Sequence, residues 1–190
     1  MTRIVGSRVA YRGYVTITIA TLSGANGATH EREIEDHGRA VCVLPYDPVR
    51  RVALLVRMPR APVLFSGVDE YLFEAPAGMI DGEESPETAI RREAMEEAGL
   101  ELRHLETVAT AWPSPGVSAE RASLFLAAYG AADRIGVGGG LAGEHESISI
   151  VEPTLAELAR MADDGRLTDL KTLVLVQTLR LRRPELFEGT

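Results

Sequence analysis

Residues 78–100 read GMIDGEESPETAIRREAMEEAGL, and no other stretch of the chain limits its fold so tightly. Ser85 and Pro86 make a sound helix start, because a serine oxygen caps free amides and a proline at the first helical position gives up no needed donor. Gly99 is a natural stop. At about 100° per residue, Glu93, Glu96 and Glu97 fall within roughly 100° of arc, and Ile90, Ala94 and Ala98 form a small apolar seam beside them. One edge of the expected helix packs while the neighbouring edge gathers negative charge.

Carboxylates so spaced repel one another by a few tenths of a kcal/mol per exposed i,i+4 pair, and by more in a closed cleft. A bound cation removes the conflict. Oxygen ligands suit hard ions, and magnesium is usually held by one or two carboxylates together with phosphates and waters. Charge alone leaves a plainer reading open, a solvated face on which Arg91 and Arg92 balance the glutamates.

A chain of 190 residues with 45% apolar content can bury a full core as one domain with a small appendage. Its net charge of −8 argues against a nucleic-acid partner, which would need clustered lysine and arginine. A single cysteine, Cys42, excludes an intramolecular disulfide; it sits in the apolar run AVCVLPY and is expected to be buried in a strand. The start MTRIVGSRVAYRG lacks the apolar core of a signal peptide, and no run reaches membrane-spanning length. The expectation is a cytoplasmic protein without a membrane partner.

Val15, Ile17 and Ile19 alternate with threonines, SGANGA supplies a turn, and THEREIEDHG reads as a return strand, so residues 1–38 are expected to form a β appendage. Residues 40–46 and 52–57 read as a strand pair around DPVR, and 71–75, 122–129 and 147–151 as further strands. Thr154 with Glu157 offers a capping box for a helix ending near Gly165, and Thr168 starts a last helix that Pro184 stops. The glycine patch from Gly136 to Gly143 is pliable, and it places Glu144 and Glu146 in a loop just before a strand, where catalytic groups are often carried.

The order Gly78-x5-Glu84-x7-Arg92-Glu93-Ala94-x-Glu96-Glu97-x-Gly99-Leu100 resembles the Nudix hydrolase box at every defining position. The resemblance implies an α/β (α+β) fold, the Nudix α/β/α sandwich with a mixed sheet, spanning residues 39–190. It implies Glu93 and Glu97 as principal ligands of Mg2+, with Mn2+ as a possible substitute, the Ala77 carbonyl as another ligand, and Glu96 as a ligand or support. Glu84 and Arg92, with Gly78 and Gly99, would hold the box together.

WPSPGVSAER, with Pro115 sixteen residues beyond Gly99, is similar to the ADP-ribose pyrophosphatase group, as are YRGYVTITIA, the run from HEREIEDHG to PVRR, and LLVRMPR. The glycine loop and GRLTDLKT resemble that group and the related GDP-mannose hydrolases. This similarity implies hydrolysis of the pyrophosphate bond in a nucleoside diphosphate sugar, ADP-ribose first, with GDP-mannose or another nucleotide sugar as the alternative. A nucleotide-sensing domain without catalysis is the alternative from another class, although such domains often lose a metal carboxylate and this chain keeps them all. Glu144 would serve as the loop base and Glu146 as an alternate metal or water partner. Arg60 would clamp phosphate or sugar, Arg32 and Arg57 would assist, and Tyr14 would stack on the base. Met58-Pro59 departs from the group's usual pattern before that last arginine. The group also implies a homodimer assembled through the N-terminal segment.

Overall fold

The computed structural model describes residues 1–140 and 148–188, which divide into two compact units, residues 1–39 with 111–122 and residues 40–110 with 123–190. In the first unit β1 (Arg3–Arg12), β2 (Thr16–Ser23) and β3 (Thr29–Asp36) form an antiparallel sheet in the order β1-β2-β3. The turn after Ser23 closes through Gly24, whose amide donates to Ala28 O at 2.9 Å. The strand β1 was not expected from sequence. It is exposed along its whole length and its register shifts twice, so it shows neither an apolar run nor clean alternation.

The second unit is built on two sheets. One has the order β5 (Val52–Ala53), β4 (Arg39–Asp47), β10 (Arg121–Ala128), β9 (Glu106–Ala111), with β8 (Ala77–Met79) paired to β4 as well. The other runs β11 (Ser149–Val151), β6 (Leu55–Met58), β7 (Leu72–Glu74). The expected strand over 52–57 is therefore two strands, because the chain changes sheets at Leu54, whose amide donates to Pro45 O at 3.0 Å. A second change of sheet occurs at Ala75–Pro76, between β7 and β8.

Four α-helices, α1 (Ala61–Phe65), α2 (Pro86–Ala98), α3 (Leu155–Asp163) and α4 (Leu170–Arg182), and two short 3-10 helices, Ala131–Asp133 and Pro184–Leu186, complete the described elements. Ser85 caps α2 through the Thr88 amide and Thr154 caps α3 through the Glu157 amide. The last helix is capped by Asp169 rather than Thr168, since the Asp169 carboxylate reaches the Thr172 amide at 2.8 Å. Strand β4 is covered on both faces: Val41 and Val43 join Ala89, Ile90, Ala94 and Ala98 of α2, while Cys42, on the opposite face, reaches Ala75 O. The mixed α+β sandwich expected from the sequence is the fold observed. No helix among the described residues is long and apolar enough to cross a membrane.

Glu152 ties the far end of this unit together, accepting from Arg50 Nη2 at 2.7 Å, Arg134 Nη1 at 3.1 Å and the Tyr129 hydroxyl at 2.5 Å. The bond from Arg50 does most to hold its pKa below the ordinary 4.5, so it stabilises the fold at neutral pH and loses that effect as pH falls through the lowered value. Glu152→Gln is expected to cost about 1–3 kcal/mol in urea denaturation at pH 7. The gap between variant and wild type should narrow as pH drops below 4.5.

Candidate active site

The helix α2 packs against β8 with almost no space between them, and that approach gathers the acidic groups. Gly78 of β8 lies so close to α2 that an added Cβ would overlap the Glu93 carboxylate, so any larger residue there would displace that carboxylate from the strand backbone. One residue earlier, the Ala77 amide donates to Glu97 Oε2 at 3.0 Å. Glu97 is only 3% exposed, and a carboxylate so buried needs such donors. Glu93 and Glu97, one helical turn apart, thus both face the backbone of the strand that enters the box.

Arg92 spans the site. Its Nη2 donates to Glu84 at 2.8 Å and to Met79 O at 3.0 Å, while Nη1 donates to Glu93 at 2.8 Å and to Glu96 at 3.2 Å. The bond to Glu84 is the main cause that raises the guanidinium pKa above its ordinary value. In turn, Arg92 and the Asp81 amide hold the Glu84 carboxyl below the usual range. One guanidinium therefore links the loop at Glu84 to Glu93 and Glu96 of the acidic edge.

The glycine patch makes contacts that its composition did not suggest. Gly99 ends α2 at φ +66 and accepts from the Ile135 and Gly136 amides, both at 3.0 Å. The Gly139 amide donates to Glu97 O at 2.8 Å and the Gly140 amide to Glu96 O at 3.0 Å. These donors satisfy helix-terminal carbonyls on the very residues whose side chains form the acidic edge. Glu144 and Glu146 lie outside the described residues. The described chain resumes before β11, where Ser149 pairs with Arg57 of β6.

Arg57 stacks over the Phe73 ring at 4.5 Å and donates to Tyr71 O at 3.2 and 3.3 Å. The Arg60 fork is bidentate to Glu74, at 2.8 and 2.9 Å. In the other unit Tyr14 is exposed, its ring 6.3 Å from that of His37. There Arg32 donates to Glu31 O at 2.8 Å, and Pro115 occupies a turn in which Ser114 O accepts the Val117 and Ser118 amides. Sequence reasoning missed the roles of Glu74, which meets Arg60, and Thr172, which meets Ala75, and the local pair of Asp169 with Lys171 beside it. It also missed His37, which is held between Glu35 and Glu120.

Among the described residues no three His, Cys, Asp or Glu side chains are arranged to hold a metal by themselves. The donor set nevertheless fits a hard divalent cation: all its groups are carboxylate or carbonyl oxygens, and such an ion completes its shell with phosphate and water. The space cleared at Gly78 keeps the Glu93 carboxylate against the strand backbone, beside the amide that meets Glu97.

A family model described as NUDIX domain matches residues 36–170. The GDP-mannose pyrophosphatase of Cronobacter sakazakii is 38% identical over 154 residues, covering 80% of this chain and 79% of its own. The GDP-mannose pyrophosphatase of Salmonella paratyphi B is 31% identical over 182 residues, 93% of this chain and 94% of its own. A crystal structure of an ADP compounds hydrolase shares the fold, with a TM-score of 0.76, 19% identity, and coverage of 97% of this chain and 95% of that one. With the box helix seated on β8 and the family model spanning most of the second unit, the chain belongs to the Nudix family of hydrolases.

Proposed function

We propose that this Nudix hydrolase cleaves the pyrophosphate bridge of a nucleoside diphosphate sugar with Mg2+, Mn2+ serving in its place. The observation that carries this reading is the seating of Glu93 and Glu97 on the β8 backbone, which leaves a compact, all-oxygen anionic edge at a helix end. Glu93 and Glu97, with Glu96 and the Ala77 carbonyl, would hold the cation. When bound, it offsets the charge that repels a nucleophile, polarises phosphoryl oxygens and acidifies water. Glu144 aligns or deprotonates the attacking water, with Glu146 as the alternate. Arg60, whose fork is bidentate to Glu74, would clamp phosphate or sugar, with Arg57, Arg32, Tyr14 and Pro115 as further substrate contacts. Water oxygen bonds to one phosphorus, and the bridging oxygen leaves on the other phosphate.

Two substrates divide the support. The run WPSPGVSAER favours ADP-ribose, giving AMP and ribose 5-phosphate. The relatives at 38% and 31% identity favour GDP-mannose, giving GMP and mannose 1-phosphate. Product analysis across a panel of nucleotide sugars with Mg2+ decides between them, and no hydrolysis of any member would refute the proposal.

Residues 1–38 are proposed to dimerise the protein and complete the partner copy's site. Support comes from β1, an edge strand that leaves Ile4, Val5, Val9 and Tyr11 exposed. Light scattering at micromolar concentration should give twice the 20.5 kDa of one chain, and deletion of residues 1–36 should lower both that mass and substrate affinity. A monomer for the intact protein would refute the dimer.

Glu97→Gln can still accept the Ala77 amide, so it should fold as wild type while kcat drops at least about 100-fold, which is about 2.7 kcal/mol of barrier. Near-normal turnover at saturating Mg2+ would remove Glu97 from the metal site. In the loop, Glu144→Gln should depress kcat far more than substrate affinity, since the group acts on water in the transition state. A heavier loss in Glu146→Gln would reverse the assignment of the base.

A further inference from the structure

The chain changes sheets at Ala75–Pro76–Ala77, and four of its polar backbone groups are met by three elements, α4, β4 and α2. The Ala75 amide donates to Thr172 Oγ1 of α4 at 2.7 Å, and Ala75 O accepts the Cys42 thiol of β4 at 3.6 Å. Pro76 O accepts the Val43 amide at 2.9 Å, and the Ala77 amide donates to Glu97 of α2 at 3.0 Å. Ala75 and Pro76 lie outside the named strands while Ala77 opens β8 opposite Cys42 of β4, so these partners place the peptide that leads into the ladder. Ala75 and Thr172 are both fully buried, so water does not substitute at either.

The direction of the first bond follows from chemistry. Asp169 Oδ2 lies 2.7 Å from Thr172 Oγ1, and Asp169 Oδ1 accepts Lys171 Nζ at 2.7 Å. Burial pushes the Asp169 pKa up, but the Lys171 charge and the Thr172 hydroxyl and amide together hold it below the ordinary value. An ionised carboxylate only accepts, so the hydroxyl donates to Asp169 and leaves its lone pairs for the Ala75 amide. Burial raises the Cys42 pKa well above that of a free thiol, which keeps the proton it donates to Ala75 O.

We propose that Thr172, oriented by Asp169, is a positioning residue for the hydrolytic site: it fixes the crossing peptide so that the Ala77 amide meets the Glu97 carboxylate. The inference rests on the reading that Glu97 and Ala77 serve the reaction. A hydroxyl on the last helix then sets the orientation of a carboxylate on the box helix, two residues of backbone being the link. Hydrogen-bonded supports of this kind typically change metal affinity or activity by 10–100-fold when removed.

Thr172→Val keeps the β-branched shape and removes the hydroxyl, and Thr172→Ser keeps the hydroxyl. In the full-length metal-free protein, Ala77 amide exchange measured by NMR should quicken about tenfold in Thr172→Val, and Mn2+ affinity measured by electron paramagnetic resonance should fall about tenfold. With substrate and Mg2+, kcat should fall about tenfold or more with KM within about twofold, and Thr172→Ser should restore all of these values. A folded Thr172→Val protein with Ala77 exchange and Mn2+ affinity near wild type, even at a lower melting temperature, overturns the proposal. Should Thr172→Val not fold, Asp169→Asn takes its place: faster Ala77 exchange supports the proposal and wild-type exchange overturns it. Glu97→Gln run alongside separates the two ideas, because full activity there removes the reading of Glu97 while the Ala77 exchange still reports the coupling.

Discussion

The contact between α2 and β8 governs this molecule, because it brings a helix edge of like charges against a strand backbone and holds it there. Two features of the strand favour it: no side chain at Gly78, and an amide at Ala77 that donates to Glu97. Burying a carboxylate without partners would be prohibitive, and the Ala77 amide supplies part of the compensation. Arg92 supplies another part, since one guanidinium nitrogen serves Glu93 and Glu96 together. The same groups that make the acidic edge tolerable to the fold keep it compact and oriented.

Position along the helix sharpens the effect. Glu93, Glu96 and Glu97 occupy the last two turns of α2, where the macrodipole is negative, and no basic residue lies in the last turn. Carboxylates there are at the unfavourable end, so the local potential is more negative than side-chain charge alone would make it. The glycine patch answers through its backbone, with the Gly139 and Gly140 amides on the carbonyls of Glu97 and Glu96. Backbone donors meet the carbonyls without adding a cationic side chain that would compete for the carboxylates. A divalent cation is the group whose charge and hardness suit what remains.

The legible parts of the sequence were those specified locally. The cap at Ser85, the stop at Gly99 and the apolar seam of α2 lie within one short stretch, and the apolar run of β4 declares a strand covered on both faces. What escaped depends on partners far apart in the chain. The break at Leu54 is a change of sheet, invisible to periodicity because 52–57 read as one continuous strand, and the short strand β8 beyond Ala75 was not expected at all. The glycine patch read as pliable because its composition carries no sign of the helix end it caps. Thr172 closes the run GRLTDLKT, noted in the sequence only for its resemblance, since nothing near it announces the buried Ala75 amide.

The unit formed by residues 1–39 and 111–122 shows the same rule applied to a histidine. His37 of this unit faces Glu35 through Nδ1 and Glu120 through Nε2 at 2.9 Å, and Tyr14 stacks beside it. Burial lowers the imidazole pKa, but the bonds and charges of Glu35 and Glu120 outweigh that and raise it overall. Ser118 and His37 outweigh burial at Glu35 and lower its pKa, so the two shifts favour an ionised pair. The imidazolium thus stabilises the folded unit fully below its unfolded pKa, and this contribution is lost as pH rises through the higher folded value. Glu120 sits in the run WPSPGVSAER, so that segment is tied to the residue that follows β3 through the imidazole of His37.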